Sequence, residues 1–339
     1  MQISAKGLTF TYNAKSALSA HALRGVDVTV PSGSFFGIIG KTGSGKSTFV
    51  MHLNGLNEVQ GGTLTVGETT LYNYKERKAQ IKALKKQRKA LGEEEFQARM
   101  ALLPLDKKQL KKERIALREK VGMVFQYPEY QLFADTVFED VAFALKNFSQ
   151  AKKRADKTFV LPTEEEIADK VRTAMEYVGL NYNEYKDVST FDLSGGQKRR
   201  VAIAGVLVAE PEVLVLDEPV AGLDPEGKAQ LFSLLHTLHG KAVKTVVIVS
   251  HDMDDVAENC DRVAVFGDGE ILTCVPTEEL FSQTEFLLNA GLDLPLTAYL
   301  SHALKEKGVT TGGVTAKVFS ARTAKALGYQ TEEGGNSHA

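Results

Sequence analysis

The sequence predicts an α/β domain built on a mostly parallel core sheet. Short apolar runs rich in Val and Ile recur along the 339 residues, and longer segments with helical spacing lie between many of them. Alternation of helices with strands that are apolar on both faces is typical of a parallel sheet covered by helices. The composition, with 43% hydrophobic and 25% charged residues, excludes a largely disordered, collagen-like or coiled-coil chain.

Seven apolar runs predict the strands of this domain. In chain order they are Leu8–Tyr12, Val26–Val30, Phe35–Ile39, Val121–Phe125, Val213–Leu216, Val246–Val249 and Val263–Phe266. Gly61 and Gly62 form a turn signal before a further run, Thr63–Val66. Early strands joined by turns of this kind indicate an antiparallel layer added to the parallel sheet.

A basic insert interrupts the alternation at residues 75–120. It holds 16 Lys or Arg against 7 Asp or Glu, although the whole chain has a net charge of −2. Two sets of apolar residues at helical spacing, separated by Pro104, predict a helical hairpin at about residues 75–118: Phe96, Met100, Leu103 and Leu110, Leu117, Val121. The basic charge could serve anionic lipid or nucleic acid, or it could cover a solvated face. We favour the solvated face, because Glu93–Glu95 break the patch and base-stacking aromatic residues are missing.

The C-terminal part, residues 276–339, predicts a small helical extension that includes Leu287–Leu304 and ends in a disordered tail. We therefore place the main domain at residues 1–275. The longest apolar run, Val201–Ala209, has nine residues, well short of the roughly 18 that a membrane helix needs. The two cysteines, Cys260 and Cys274, argue against a disulfide framework and favour a reducing cytosol.

A phosphate-binding loop is the first motif that carries chemistry. Residues 40–47 fit the P-loop pattern and lie between an apolar strand and a run compatible with a helix: Gly40, Lys41, Thr42, Gly43, Ser44, Gly45, Lys46 and Ser47. Such glycines let backbone N–H groups surround an anion, and the helix start adds the positive end of its dipole. We expect Lys46 to reach the β- and γ-phosphates of a nucleotide and the Ser47 hydroxyl to coordinate Mg²⁺.

Two acidic residues end the strand Val213–Leu216. Carboxylates at the end of a buried strand are costly unless a cation satisfies them. Beside a phosphate-binding loop, Asp217 is expected to serve the Mg²⁺ ion and Glu218 to act as the general base that polarises the attacking water.

A second anion-binding helix start follows Leu193. Ser194 can cap a helix, while Gly195 and Gly196 expose backbone N–H groups before Gln197. One chain with a P-loop and a second phosphate-binding helix therefore suggests two half-sites.

These motifs, in this order over about residues 1–275, resemble the nucleotide-binding subunit of an ATP-binding cassette (ABC) transporter. The resemblance implies a P-loop NTPase fold with a helical subdomain at about residues 127–205 that carries the signature, Leu193–Gln197. It also implies that ATP is sandwiched between the P-loop of one subunit and the signature of another. Val220 stands where the family usually has Thr, which leaves the catalytic positions unchanged.

Further roles follow from the same resemblance. Tyr12 would stack on the adenine, Thr48 would join the P-loop residues in binding ATP, and Gln126 would contact Mg²⁺ and the attacking water. Asp224 belongs to a D-loop, residues 221–224, that would cross the subunit interface, and His251 would contact the γ-phosphate. The signature residues that would touch the nucleotide of the opposite subunit are Ser194, Gly195, Gly196 and Gln197.

Two longer stretches, residues 125–133 and 199–219, are similar to the ATPases of energy-coupling factor (ECF) transporters, and to the second of their two ATPase subunit types. The segment Gly291–Pro295 and the helix after it also fit that type. The resemblance implies a heterodimer with a second ABC ATPase, a transmembrane coupling protein and separate membrane proteins that capture the substrate. It implies uptake of vitamins, other micronutrients or transition-metal ions, by a peripheral protein on the cytoplasmic face of the cell membrane.

The segment Gln126–Phe133, here named the Q segment, would then receive a helix of the coupling protein. Its aromatic and apolar residues could form a docking groove or belong to an ordinary core. We expect Glu129 to pair with an arginine of the coupling helix.

Other classes remain open at this point. An ATPase of an ordinary ABC importer would use the same chemistry with another membrane partner. An ABC ATPase acting on DNA or ribosomes is disfavoured, because the interval from Lys46 to Ser194 is only 148 residues and the chain has one cassette. No nucleic acid partner is therefore expected. Intact Glu218 and His251 argue against a regulator that binds ATP without turnover. The transported substrate, the choice between homodimer and heterodimer, and the partner of the basic insert cannot be read from the residues.

Overall fold

The computed structural model describes residues 1–14, 18–103, 105–307, 309 and 313–327. Numbered in chain order, the strands of this part of the chain are β1 (Ile3–Tyr12), β2 (Ala20–Val30), β3 (Phe35–Gly40), β4 (Gly61–Val66), β5 (Thr69–Tyr72), β6 (Val121–Val124), β7 (Val213–Asp217), β8 (Thr245–Val249), β9 (Arg262–Gly267) and β10 (Glu270–Pro276).

The strands form two sheets. A four-stranded antiparallel sheet has the order β2-β1-β4-β5, and a six-stranded sheet has the order β10-β9-β3-β8-β7-β6. In the larger sheet β9, β3, β8, β7 and β6 run parallel, and only β10 is antiparallel, as an edge strand beside β9. The predicted parallel core sheet and antiparallel layer are confirmed.

Helices cover both faces of the larger sheet. In the described residues they are α1 (Lys46–Leu53), α2 (Tyr74–Leu91), α3 (Glu93–Ala101), α4 (Lys107–Lys120), α5 (Val137–Ala155), α6 (Glu164–Tyr177), α7 (Tyr182–Tyr185), α8 (Gly195–Leu207), α9 (Pro225–Leu238), α10 (Met253–Asn259), α11 (Thr277–Ser282), α12 (Thr284–Asn289), α13 (Leu296–Glu306) and α14 (Ala316–Ala326). None of these helices is long and apolar enough to cross a membrane.

The parallel sheet separates two hydrophobic cores. Leu214 and Leu216 of β7 point into one core, which includes residues of α5, α6, α8 and α9, whereas Val213 and Val215 point into the other. The second core contains the antiparallel sheet and α1. Alternation of side chains along each buried strand therefore assigns the helix after the P-loop and the signature helix to opposite faces of the sheet.

Two helical regions differ in detail from their sequence-based description. The basic insert consists of three helices, α2, α3 and α4, of which α2 and α4 begin at side-chain caps, Asn73 and Asp106. The C-terminal stretch that includes Leu287–Leu304 is divided into α12 and α13, because Gly291 adopts φ +67° and Pro295 N-caps α13. Pro104, and the tail from residue 328 onward, lie outside the described residues.

Candidate active site

The P-loop connects β3 to α1 through glycines with positive φ: 149° at Gly40, 82° at Gly43 and 104° at Gly45. A Cβ atom at Gly40 would lie 2.4 Å from the Phe266 carbonyl oxygen, and one at Gly45 would lie 2.5 Å from the Ala22 carbonyl oxygen. Both neighbours are backbone atoms that cannot rotate away. Only glycine therefore satisfies both the dihedral angles and the space at these two positions.

The ammonium group of Lys46 is held by the loop itself. Its Nζ atom donates hydrogen bonds to the carbonyl oxygens of Gly40, at 2.6 Å, and Lys41, at 2.9 Å. The side chain is buried, and this burial lowers its pKa, while Glu218 and Asp217 oppose the shift through their negative charge. The loop thus fixes a positive charge next to the first turn of α1. Because Gly45, the N-cap of that helix, has no side chain, the first amide groups keep their ability to bind an anion.

Asp217 ends β7 beside the P-loop, close enough to the Ser47 side chain for a hydrogen bond. Burial raises the pKa of Asp217, and the bond from Ser47 opposes this shift. A carboxylate and a hydroxyl placed together supply the hard oxygen donors that Mg²⁺ prefers. These two residues therefore fit a site for the Mg²⁺ that accompanies a nucleotide.

Glu218 and His251 meet at the carboxyl ends of two parallel strands. Asp217 of β7 lies opposite Val249 of β8, so the residues that follow each strand are brought together. The Glu218 Oε2 atom lies 2.6 Å from the His251 Nδ1 atom, with 22% of the glutamate side chain and 71% of the histidine side chain exposed. Glu218 has φ +52°, and its backbone N–H donates to the Val249 carbonyl oxygen at 3.0 Å. The carboxylate is therefore held at an open edge of the site that water can reach.

Gln126 and Tyr12 lie around the same edge. Gln126 is exposed two residues after β6, whose last residue, Val124, is paired with Leu216 of β7. The Tyr12 hydroxyl lies 3.2 Å from the Thr48 hydroxyl, and its ring packs edge-on against Phe10 at 4.8 Å. Tyr12 keeps 39% of its surface exposed, so one face of the phenol can receive a flat ring.

The signature forms the start of helix α8, which is capped by side chains, unlike the start of α1. Ser194 caps α8 by accepting a hydrogen bond from the backbone N–H of Gln197, and the Gln197 side chain accepts one from the backbone N–H of Ser194. Gln197 also donates to the Tyr185 hydroxyl at 3.2 Å. Gly195 and Gly196 are exposed, and a Cβ atom added to either would meet no described atom within 4 Å. The fold of this chain does not itself require glycine there.

The structure brings some predicted residues together and separates others. The P-loop, Asp217, Glu218, His251 and Tyr12 share one edge of the parallel sheet, linked by the contacts given above. Helix α8 packs into the opposite core from α1, so the P-loop helix and the signature helix lie on opposite faces of the parallel sheet. Asp224 is exposed and caps α9 by accepting a hydrogen bond from the Gly227 backbone N–H at 2.8 Å.

The prediction that Glu129 pairs with an arginine of the coupling helix stays a prediction, but an arginine of this chain already binds the carboxylate. Both carboxylate oxygens of Glu129 accept hydrogen bonds from Arg199 of the same chain, at 3.1–3.2 Å. Arg199 is almost completely buried, and a buried guanidinium requires a counterion. The sequence motifs do not predict this pair. The available signal was the pair Arg199 and Arg200, which follows the signature after Lys198 in a helix that otherwise continues as apolar residues.

The Q segment exposes large aromatic side chains. Tyr130 is 83% exposed, Phe133 57% and Tyr127 41%, whereas Pro128 is buried. These three rings are therefore not part of an ordinary core, and they form an apolar surface next to the site.

Comparisons with known proteins agree with this geometry. The ABC transporter family model matches residues 23–221. The chain is 38% identical to the energy-coupling factor transporter ATP-binding protein EcfA2 of Clostridium perfringens over 96% of each chain. It is 41% identical to the protein of the same name from Acetivibrio thermocellus over 91% of each.

Solved structures show the same fold. CbiO1 from Clostridium perfringens, described as part of the ABC transporter complex cbiONQ, is 31% identical with a TM-score of 0.62, covering 88% of this chain and 98% of that one. The ATP-binding cassette MJ0796, solved as a dimer in a post-hydrolysis state with ADP and Pi, is 25% identical with a TM-score of 0.59, covering 81% and 98%.

Proposed function

The chain belongs to the ABC transporter family and, within it, to the ATP-binding proteins of energy-coupling factor transporters, and on that premise we propose how it uses ATP. It is one of two ATPases that close on two ATP molecules and drive uptake through a transmembrane coupling protein. The cargo is a vitamin, another micronutrient or a transition-metal ion, captured by separate membrane proteins. The observation that best supports this proposal is the contact between Glu218 and His251. It lies at the same edge of the sheet as Lys46 and the Ser47–Asp217 pair.

ATP binds first to the P-loop half of the site. Amide groups of residues 40–48 surround the phosphates, the Lys46 ammonium neutralises their charge, and the adenine stacks on the exposed face of Tyr12. The carbonyl oxygens that hold Lys46 lie within the loop itself, so the ammonium can exchange them for phosphate oxygens by a small rotation.

The Ser47 hydroxyl, the Asp217 carboxylate and the Gln126 side chain would hold the Mg²⁺ ion that accompanies ATP. Bound there, the ion would neutralise negative charge on the phosphate oxygens. The closeness of Ser47 to Asp217 supports this assignment, because two of the three oxygen donors already lie together.

Glu218 accepts the proton of the attacking water. Its carboxylate lies at the open edge of the site and is oriented by the His251 imidazole. His251 exchanges this contact for the γ-phosphate when ATP is bound, and Glu218 is then free to face the water. Hydrolysis leaves two anionic products, whose repulsion helps to reopen the dimer.

A second chain completes the site. Since α1 and α8 pack on opposite faces of the parallel sheet, the signature of one chain is separated from its own P-loop by the sheet. The exposed signature glycines and Ser194 would contact the γ-phosphate held by the P-loop of the second ATPase, and the D-loop with Asp224 would cross the interface. Dimer closure is therefore coupled to nucleotide binding on both sides.

The Q segment carries the mechanical output. Tyr127, Tyr130 and Phe133 form an apolar surface that fits an amphipathic helix of the membrane coupling protein. This docking would keep the chain at the cytoplasmic face of the membrane as a peripheral subunit. Because Gln126 begins the same segment, movement of the docked helix and the geometry of the site are linked.

The direct test is purification of the tagged chain from detergent-solubilised membranes, followed by mass spectrometry and an ATPase assay. We expect a second ABC ATPase, a small helical membrane protein and one or more substrate-capture proteins to copurify. Tyr130→Asp should release the membrane proteins, whereas Tyr177→Asp, a matched change on α6, should not. A conventional permease pair would contradict the ECF assignment, and a chain without any membrane partner would contradict a role in transport.

A further inference from the structure

Arg199 joins four parts of the site through one side chain. Its Nε and Nη2 atoms donate to both carboxylate oxygens of Glu129 in the Q segment. Its Nη1 atom donates to the Pro219 carbonyl oxygen at 2.9 Å, and Nη2 also donates to the Ala221 carbonyl oxygen at 3.2 Å. Arg199 itself lies in α8, two residues after the signature.

Each of these acceptors belongs to a catalytic segment. Glu129 follows Gln126 by three residues, Pro219 follows Glu218 directly, and Ala221 begins the D-loop. The Arg199 side chain is 93% buried and the Glu129 side chain 83% buried, since their exposed fractions are 7% and 17%. The contact is therefore shielded from solvent and from screening by salt.

The backbone of Glu218 depends on support from both sides. Its φ of +52° lies in the left-handed region, which a residue with a side chain rarely adopts and which the surrounding structure must enforce. On one side the Glu218 N–H is bonded to the Val249 carbonyl oxygen at 3.0 Å. On the other side, Arg199 holds the carbonyl of the next residue, Pro219.

We propose that Arg199 is a positioning residue that links docking at the Q segment to the placement of Glu218 and of the signature. When a membrane helix moves the Q segment, Glu129 draws the guanidinium with it, and the Pro219 carbonyl and the start of α8 follow. This proposal rests on the function proposed above and deepens it. It assigns the transmission between membrane partner and active site to an ion pair within this chain.

Only an arginine fits this role. Its planar fork satisfies the two oxygens of a carboxylate and still reaches two carbonyl oxygens, whereas a lysine ammonium has a single nitrogen and cannot span them. Arg199→Lys therefore keeps the charge beside Glu129 but loses the links to Pro219 and Ala221. Glu129→Gln keeps the size of the side chain but loses the link to the Q segment.

The chain offers a matched control in the adjacent residue. Arg200 donates from Nη1 to the Val178 carbonyl oxygen at 2.6 Å, within the helical subdomain. Arg200→Lys makes the same chemical change one residue away, at a contact with neither the Q segment nor the backbone after Glu218. A comparison of Arg199→Lys with Arg200→Lys separates the effect of losing the contacts at position 199 from the general effect of losing a guanidinium.

The experiment measures ATP hydrolysis twice for each variant, first with the purified ATPase subunits alone and then with the complete transporter in liposomes. For Arg199→Lys and Glu129→Gln we expect kcat in the complete transporter to fall about tenfold, with KM for ATP changed by less than about twofold. We expect a smaller fall, within about threefold, for the subunits alone, and wild-type behaviour for Arg200→Lys in both assays. The double variant should lose no more than either single variant, because the pair acts as a unit.

Equal losses in the two assays, with melting temperatures lowered to match, would overturn the proposal and make the pair a structural contact. Normal kcat for Glu129→Gln in the complete transporter would overturn it as well, even if Arg199→Lys does not fold. Failure of the proposed function itself is distinguishable, because the wild-type chain would then show no ATPase activity or no membrane partners.

Discussion

Helices α1 and α8 both begin in glycine-rich sequence, but the chain's own atoms crowd the glycines of only one of them. At Gly40 and Gly45 of the P-loop, positive φ and backbone oxygens within 2.5 Å of the missing Cβ exclude any other residue. At Gly195 and Gly196 of the signature, a Cβ would meet no described atom within 4 Å other than the adjoining residues and the backbone of its own helix. The P-loop glycines are needed by this fold, whereas the signature glycines leave room for something outside it.

The polar groups at the starts of α1 and α8 also differ, because only α8 has a side-chain cap. The P-loop has no side-chain cap and keeps a buried lysine beside its first turn. The signature closes its own cap through Ser194 and Gln197 and presents an exposed surface. The P-loop therefore presents free amide groups and a positive charge to an anion, whereas the signature presents an exposed helix start that caps itself.

Glu218→Gln gives the largest expected effect and separates binding from chemistry. Glutamine keeps the shape of the side chain but cannot accept the proton, so we expect kcat for ATP hydrolysis to fall about 10² to 10⁴-fold while ATP binding persists. Single-turnover hydrolysis and equilibrium ATP binding measure the two quantities. Glu176→Gln, on the exposed face of α6, is the matched control. Near-normal turnover in Glu218→Gln would refute its role as base.

Gly196→Ala tests the signature side of the comparison. The new methyl group meets no atom of the described chain, and alanine favours a helix over glycine by about 1 kcal/mol, so stability should hold or rise slightly. ATP turnover should nevertheless fall about 10²-fold, because the methyl group displaces the γ-phosphate held by the other chain. Gly205→Ala, further along the same helix, should leave turnover unchanged. Equal turnover in both variants would contradict a nucleotide at the signature.

Gly45→Ala tests the P-loop side. Alanine would be forced into the left-handed region with its Cβ 2.5 Å from the Ala22 carbonyl oxygen. We expect the free energy of unfolding to fall by about 2–4 kcal/mol, measured by denaturant titration, together with loss of ATP binding. Gly33→Ala has similar dihedral strain, at φ +83°, but open space around it, so it should cost about 1–2 kcal/mol. If the two variants cost the same, crowding would play no part at Gly45.

Tyr12→Phe gives the smallest expected effect. It removes the hydrogen bond between the phenol and the Thr48 hydroxyl but keeps the aromatic face. A partly exposed neutral hydrogen bond contributes about 0.5–1 kcal/mol, so Kd for ATP should rise less than about fivefold. Tyr12→Ala should weaken binding considerably more, and fluorescence titration with a labelled nucleotide compares them. A larger loss in Tyr12→Phe than in Tyr12→Ala would contradict adenine stacking.

The sequence was sufficient to predict the parts of the fold that follow from a local residue pattern. Buried strands such as Val213–Leu216 are continuous apolar runs, and the P-loop has a fixed spacing of glycines before a helix, so both could be found without the structure. The strands β5 and β10 were not predicted, since each carries mixed polar and apolar residues and lacks such a run.

Contacts between distant residues were out of reach. Glu129 and Arg199 are 70 positions apart, and neither has a spacing rule that identifies the other. Gly291 and Pro295 are visible in the sequence as residues that interrupt the C-terminal helix. The position of the resulting turn in the fold, however, depends on packing. There the turn places Gly291 against the Lys41 side chain of the P-loop, since a Cβ at Gly291 would lie 2.1 Å from the Lys41 Cε atom.

We propose above that one nucleotide is held by the P-loop of one chain and the signature of another. The most direct measurement uses an ATP analogue with a photoreactive group on its γ-phosphate, applied to the complete transporter in which only this chain carries Lys46→Ala. Peptide mapping then reports whether residues 194–197 of this chain are labelled. We predict that labelling persists, because the nucleotide comes from the P-loop of the other ATPase. If Lys46→Ala abolishes labelling at the signature as well as binding at the chain's own P-loop, the sharing of one nucleotide between two chains would be contradicted.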